Sequence, residues 1–238
     1  MDGRPARALR QRLQSLAAAG VKQVPKAGSH AAPVRLSDTV STAADVSAAA
    51  ASTADQLAVL RDEVASCSRC SELAAGRTHT VFGTGPADAR LCFFGEAPGA
   101  DEDASGEPFV GRAGQLLTKI IEACTLKRED VYILNVLKCR PPGNRAPLPG
   151  EVANCRTFFE RQFQVIAPQF ICCLGTSAAQ ALLETTEPIG KLRGRWFTYG
   201  SARVLCTYHP SYLLRNPAAK RDVWDDMKLL MAEMGVNP

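Results

Sequence analysis

Two sets of residues in this chain have the types and spacing for chemistry: a group of thiols, and a few polar side chains at the ends of apolar runs. Cys67 and Cys70 form a C-x2-C pair, and Cys139 and Cys155 follow, the last at the start of an amphipathic pattern. Four thiolates so arranged satisfy either Zn(II) or an iron–sulfur cluster, and spacing alone does not choose between them. Cys139 falls in the loop-like stretch Lys138-Cys139-Arg140-Pro141-Pro142 rather than in an apolar run. Cys92, Cys124, Cys172, Cys173 and Cys206 each sit inside an apolar pattern and read as small buried hydrophobes. The nine cysteines therefore divide into four ligands and five core residues.

The polar set begins with the turn Gly95-Glu96-Ala97-Pro98-Gly99, followed by Ala100-Asp101-Glu102-Asp103 and Gly106-Glu107-Pro108-Phe109-Val110-Gly111. Glycine removes side-chain bulk and proline fixes the path, so the turn offers backbone for close approach to a ligand. It has neither the Walker nor the Rossmann spacing, and a structural turn with a solvated acidic loop is the plain alternative. Asn135 stands among apolar neighbours and must find hydrogen-bond partners, from the protein or from a ligand, or cost about 1–3 kcal/mol. His209 comes directly after an apolar run and before proline, in His209-Pro210-Ser211-Tyr212-Leu213-Leu214-Arg215. A satisfied structural histidine is the alternative there, but the position aims the imidazole into a crevice.

The elements that must carry these residues can be read from periodicity. Arg90 to Gly95, Val131 to Val136, Phe170 to Gly175 and Val204 to His209 are short β-branched or aromatic runs. Between them, Gly114 to Cys124, Glu151 to Ile166 and Ser177 to Leu183 repeat apolar residues at three- and four-residue steps. That alternation predicts an α/β fold: a three-layer αβα sandwich around a mostly parallel four-stranded sheet. A hairpin, Arg195 to Tyr199 and Arg203 to Tyr208 about Gly200 and Ser201, precedes the last strand. Ligands bind outside the carboxyl ends of strands in such sheets, and the polar set falls at those ends.

With 238 residues and 46% hydrophobic content the chain fills one core and leaves an appendage. A formal charge of +4 permits an anionic partner without demanding one. No run of eighteen apolar residues occurs and the first thirty positions lack an apolar h-region, so the expected location is cytoplasmic, away from membranes. An odd number of cysteines in a reducing compartment argues against a disulfide framework. Residues 1 to about 55 are rich in Ala, Ser and Thr, without an aromatic residue, and read as a disordered tail. A short helix at Pro5 to Ala19, with Arg7, Arg10 and Arg12 on a basic face, is expected within it. The folded domain is read as 56–238; its texture begins at Thr53, with Leu57, Val59, Leu60 and Val64 at helical spacing.

Taken together, the motifs resemble the family-four uracil-DNA glycosylases of bacteria and archaea, which carry a 4Fe–4S cluster. The likeness lies in Gly95 to Gly99, Glu102 to Gly111 with Ala113-Gly114-Gln115-Leu116-Leu117, Asn135 with Lys138 to Pro142 and Asn144 to Pro147, and His209 to Arg215, and it covers about residues 57 to 234. The resemblance selects the cluster over zinc, with Cys67, Cys70, Cys139 and Cys155 as ligands. It implies hydrolysis of the N-glycosidic bond of uracil in single- or double-stranded DNA by a monomer, leaving an abasic site. The target base must leave the stack, the general cost of base-flipping enzymes. Phe109 would stack on it, Asn135 would read its edge, and Gly95, Ala97, Gly99 and Asp103 would border it. His209 would donate to uracil O2. An Asp holds the middle of the first motif in related families; Ala97 stands there in this chain, leaving Glu96 and Glu102 as the alternatives for activating water, with Asp103 behind them. Ser211, Leu213, Leu214 and Arg215 would form the wedge entering the vacated stack. Lys138, Arg140 and Arg145 would make a basic DNA-facing loop ordered by the cluster.

Two other readings compete. A relative that traps uracil-DNA covalently has Gln in the first motif and a basic loop ending in His; Ala97 and Pro142-Gly143-Asn144-Arg145-Ala146-Pro147, which has no His, disfavour it. A non-catalytic, metal-stapled DNA-binding module would use the same motifs as scaffold alone.

Overall fold

A computed structural model describes residues 51–236. The expected tail helix at 5–19 and the tail up to position 50 lie outside the described residues. The first described helix, α1 (Thr53–Ala65), is opened by a reciprocal cap between Ser52 and Asp55, so residues 53–55, assigned by composition to the tail, are its first turn. Leu57, Leu60 and Val64 are its buried stripe. A short helix α2 (Ser71–Gly76) follows the Cys67-Cys70 pair.

The sheet is built from β1 (Leu91–Gly95), β2 (Tyr132–Asn135), β3 (Phe170–Leu174), β4 (Trp196–Tyr199) and β5 (Ala202–Thr207), in the spatial order β2-β1-β3-β5-β4. Four strands run parallel, as expected; β4 pairs antiparallel with β5 at one edge. The expected four-stranded sheet is thus corrected to five strands, because the hairpin arm before the last strand continues the hydrogen-bonded ladder. At the opposite edge, Thr84 exchanges two backbone hydrogen bonds with Ile133, covering the outer side of β2.

Alternating strand residues feed two cores, one on each face. Cys92, Phe94, Leu134, Ile171, Cys173, Val204 and Cys206 pack beneath α1, α5 (Pro149–Ile166), α6 (Thr176–Leu183) and α7 (Ile189–Leu192). Leu91, Phe93, Ile133, Cys172, Leu174 and Leu205 pack on the other face against α4 (Arg112–Ala123), α8 (Pro210–Arg215) and α9 (Lys220–Met234). The three-layer expectation holds, and the five cysteines assigned to the core are all buried. The remaining helix, α3 (Ala100–Ser105), lies between β1 and α4 in the chain. Among the described residues no helix is long and apolar enough to cross a membrane.

Candidate active site

The carboxyl ends of β1, β2 and β5 open onto one hollow, and the end of β3 onto an adjoining one. A cavity of about 310 Å³ is lined by Glu96, Ala97, Gly99, Glu102, Phe109, Asn135, His209, Ser211 and Arg215, among others. A second hollow of about 520 Å³ shares Glu96, Ala97, His209, Ser211 and Arg215 and extends past Tyr208 and Tyr212. Glu96, Glu102, Asn135 and His209, all singled out by sequence, therefore meet around one space.

Asn135 is the last residue of β2 and pairs in register with Gly95, the last residue of β1. It is 2% exposed, and its Oδ1 has no hydrogen-bond partner. An added Cβ on Gly95 would stand 2.3 Å from Asn135 Oδ1 and 2.5 Å from the Phe109 ring. Only glycine at that strand end leaves the amide and the ring free to face each other across the opening.

Phe109 is itself held in an unusual backbone state, with φ of 55° at a non-glycine residue. Such a conformation costs on the order of 1–3 kcal/mol and persists where the surroundings enforce it. Glu102 does so from one side: Oε1 accepts from the backbone N–H of Val110 and Gly111, both at 2.9 Å, and Oε2 accepts from Gly99 N–H at 3.0 Å. Arg128 holds the other side by donating to Pro108 O at 2.7 Å. Gly114, one turn into α4, has no room for a side chain because Phe109 O would lie 1.8 Å from its Cβ. The ring so fixed is 5.6 Å, centroid to centroid, from the His209 imidazole.

β5 ends at Thr207, and His209 caps the N-terminus of α8. Its Nδ1 accepts from Ser211 N–H at 3.1 Å and lies 2.8 Å from Ser211 Oγ. A nitrogen that accepts from a backbone amide carries no proton, so the neutral ring holds its proton on Nε2. Burial, and secondarily the Arg215 guanidinium, pulls the His209 pKa down to about 4, against a smaller opposing pull from Glu102. The imidazole is neutral at pH 7 and offers Nε2–H as a donor.

Glu96 and Glu102, the two carboxylates left open by sequence, have different surroundings. Both oxygens of Glu102 are committed to backbone amides, whereas Glu96 lines both hollows and accepts a short hydrogen bond from Ser177 Oγ. Sequence reading missed Ser177, Arg128 and Arg77. Ser177 had a signal, because it follows the end of β3, a position where open parallel sheets place ligands.

Three expectations are corrected. Asp103 does not border the cavity: it is 4% exposed and its carboxylate accepts from Thr78 N–H at 3.0 and 3.1 Å, bracing the loop before β1. Leu213 is 1% exposed, packed in the α4–α9 core, so the inward face of α8 excludes it from the wedge; Leu214 on the outward face is 44% exposed. Lys138 does not face DNA: it is 1% exposed, with Nζ donating to Asn135 O at 2.8 Å and Phe82 O at 3.3 Å. Its aliphatic stem and ammonium are used to secure the end of β2. Arg145 lines the cavity but is engaged by Glu151 and Glu72, and Arg140 bonds Asn144.

Cys67, Cys70, Cys139 and Cys155 gather on the other side of the Lys138 loop. The Cys139 thiol is pushed up mainly by burial, opposed by Arg77, and feels Cys67 and Cys70; Cys155 is pushed up to about 11 by burial and feels Cys139 and Cys70. Arg77 donates to Cys139 Sγ at 3.2 Å and Asn154 donates to Cys70 Sγ at 3.4 Å. No group of three or more His, Cys, Asp or Glu among the described residues converges closely enough to hold one metal ion. The four side chains are all thiols, and two of them accept hydrogen bonds, a set whose chemistry fits a thiolate-bound cluster.

Residues 82–228 match the Uracil DNA glycosylase superfamily. The type-4 uracil-DNA glycosylase of Thermotoga maritima is 43% identical over 174 residues, 71% of this chain and 90% of that protein. That of Archaeoglobus fulgidus is 44% identical over 175 residues, 70% and 87% of the two chains. The type-4 enzyme of Saccharolobus solfataricus is 40% identical over 193 residues, 77% and 89%. With the superfamily match over most of the folded region and these identities over most of each relative's length, the chain belongs to the uracil DNA glycosylase superfamily, in its type-4 branch.

Proposed function

We propose that this protein removes uracil from DNA by hydrolysing its N-glycosidic bond, and that the partnerless Asn135 Oδ1 is the acceptor that reads the base. Its relatives carry the name uracil-DNA glycosylase, which supports the reaction. The amide supports the base: Oδ1 accepts from uracil N3–H while Nδ2 donates to O4, and cytosine presents the reverse pattern on that edge. The unpaired oxygen costs about 1–3 kcal/mol in the free protein, which uracil alone among the DNA pyrimidines, apart from its 5-methyl homologue thymine, can repay.

The extruded ring stacks on Phe109. His209 Nε2–H donates to O2, where negative charge collects as the C1′–N1 bond breaks and its electron pair passes to the ring. Glu96 faces the sugar cation and takes a proton from the water whose oxygen bonds C1′; uracil leaves as the anion and gains its proton from solvent. The commitment of Glu102 to three backbone amides supports Glu96 for this step and Glu102 as the clamp of the Phe109 loop. Leu214 and Arg215, exposed at the rim, enter the vacated stack and meet a phosphate, with Ser211 holding His209 between them.

Cys67, Cys70, Cys139 and Cys155 hold a 4Fe–4S cluster; the all-thiol donor set and the bonds from Arg77 and Asn154 to two of the sulfurs support it. Through these four residues a bound cluster would tie together the segment between α1 and α2, the Lys138 loop and α5. The protein works as a monomer in the cytoplasm, on single- or double-stranded DNA; nine unpaired thiols suit a reducing compartment.

Incubation with a uracil-containing oligonucleotide followed by alkali tests this reading. Strand breaks at uracil and none at cytosine are expected. Asn135→Ala should lose on the order of a hundredfold or more in rate without loss of folding stability, since it removes the unpaired acceptor. Absence of breaks from protein that shows visible iron–sulfur absorbance overturns the enzyme reading; absence of that absorbance from anaerobically purified protein overturns the cluster.

A further inference from the structure

Glu96 is the first residue after β1, and no hydrogen bond from its own turn fixes its carboxylate. The partner comes from 81 positions away: Ser177 Oγ donates to Glu96 Oε2. Ser177 is the second residue of α6, so its hydroxyl does not serve as the helix cap, a place taken by Gly175. The start of α6 is fixed independently of Glu96. Gly175 has a φ of 92°, donates its N–H to Thr207 O at 2.8 Å, and approaches His209 so closely that an added Cβ would lie 2.9 Å from the histidine Cβ. The backbone carrying Ser177 is therefore locked between the ends of β3 and β5, directly behind the imidazole. Thr176, its neighbour, lines the second hollow together with Glu96 and His209.

We propose that Ser177 is a positioning residue for the glycosylase reaction: its hydroxyl holds one oxygen of Glu96 so that the other oxygen faces the water and the sugar. This inference rests on the reading of Glu96 as the water-activating carboxylate. A glutamate on an open turn has three rotatable bonds, and a carboxylate that must meet a transient sugar cation gains rate from being held before the substrate arrives. One donor on Oε2 leaves Oε1 available. Two donors would occupy the group, as the three amides occupy Glu102.

The test is a double-mutant cycle measured under single turnover, with DNA affinity and melting temperature followed in parallel. Ser177→Ala is expected to lower the cleavage rate by roughly ten- to a hundredfold with the KM for uracil-DNA unchanged, and Ser177→Thr to restore most of the rate. Glu96→Gln should be severely slow, and adding Ser177→Ala to it should cost nothing further. A wild-type rate for Ser177→Ala overturns the proposal while leaving Glu96 standing. So does a further loss of the same size in the Glu96→Gln background, which would mean that Ser177 acts elsewhere. A near-wild-type rate for Glu96→Gln instead overturns the reading of Glu96 itself.

Discussion

At the scale of single residues, the site divides its polar groups into those that are spent and those that are free. Glu102, Asp103 and Lys138 have their hydrogen-bonding capacity consumed by backbone groups. Asn135 Oδ1, the His209 Nε2 edge and one oxygen of Glu96 do not. Sequence could name all six but could not sort them, because sorting depends on backbone groups folding back from eight or nine positions away, as Val110 and Gly111 do on Glu102, or from 25 and 56 positions away, as Thr78 does on Asp103 and Phe82 on Lys138. The state of His209 carries a pH consequence. Its pKa lies near 4 rather than 6.5 because burial and Arg215 disfavour the charged ring, so the neutral donor persists as pH falls through 6.5 and is lost only near 4. The single-turnover rate should therefore show no histidine limb between pH 5 and 7.5. A fall in rate centred near 6.5, and absent from His209→Gln, would contradict the neutral assignment.

At the scale of elements, what was legible followed from period. The four parallel runs, the three long helices between them and the hairpin were visible because apolar periodicity and turn residues are local signals, whereas the helices after β5 drew no such reading. The merger of the hairpin into the sheet was not, since ladder continuity is set by a partner strand. Leu213 and Leu214 show the same limit: both are apolar neighbours in a six-residue helix, and only the packing of α8 on α4 decides which faces inward. The segment from Gly99 to Gly111 behaves as one unit because a single carboxylate ties its beginning to its end. Glu102→Ala should release it. The backbone amides of Val110 and Gly111 should exchange with deuterium at least tenfold faster, and KM for uracil-DNA should rise, because Phe109 loses the support for its strained φ. Unchanged exchange at these two amides would show that Arg128 and the Gly114 contact suffice to hold the loop.

For the whole molecule, two cores on the faces of one sheet leave its carboxyl edge as the place where four strand ends, from distant parts of the chain, converge. Four cysteines stand on three separate segments, and the Lys138 loop joins one of them to Asn135: Lys138 secures the Asn135 carbonyl and the next residue, Cys139, is one of the four thiols proposed to hold the cluster. Under the proposed function, a cluster on these thiols would steady the end of β2 through Lys138. The cysteine spacing was legible from the start, whereas the junction through Arg77, which donates to Cys67 O and Cys139 Sγ alike, was not, since an arginine after a short helix has no distinguishing pattern. The convergence itself can be measured by titrating free uracil into the isotope-labelled protein and following the Asn135 side-chain amide together with the rings of Phe109 and His209. All three should shift along one saturation curve with uracil and stay still with cytosine; movement of one without the others, or equal response to cytosine, would contradict a single pocket built to read uracil.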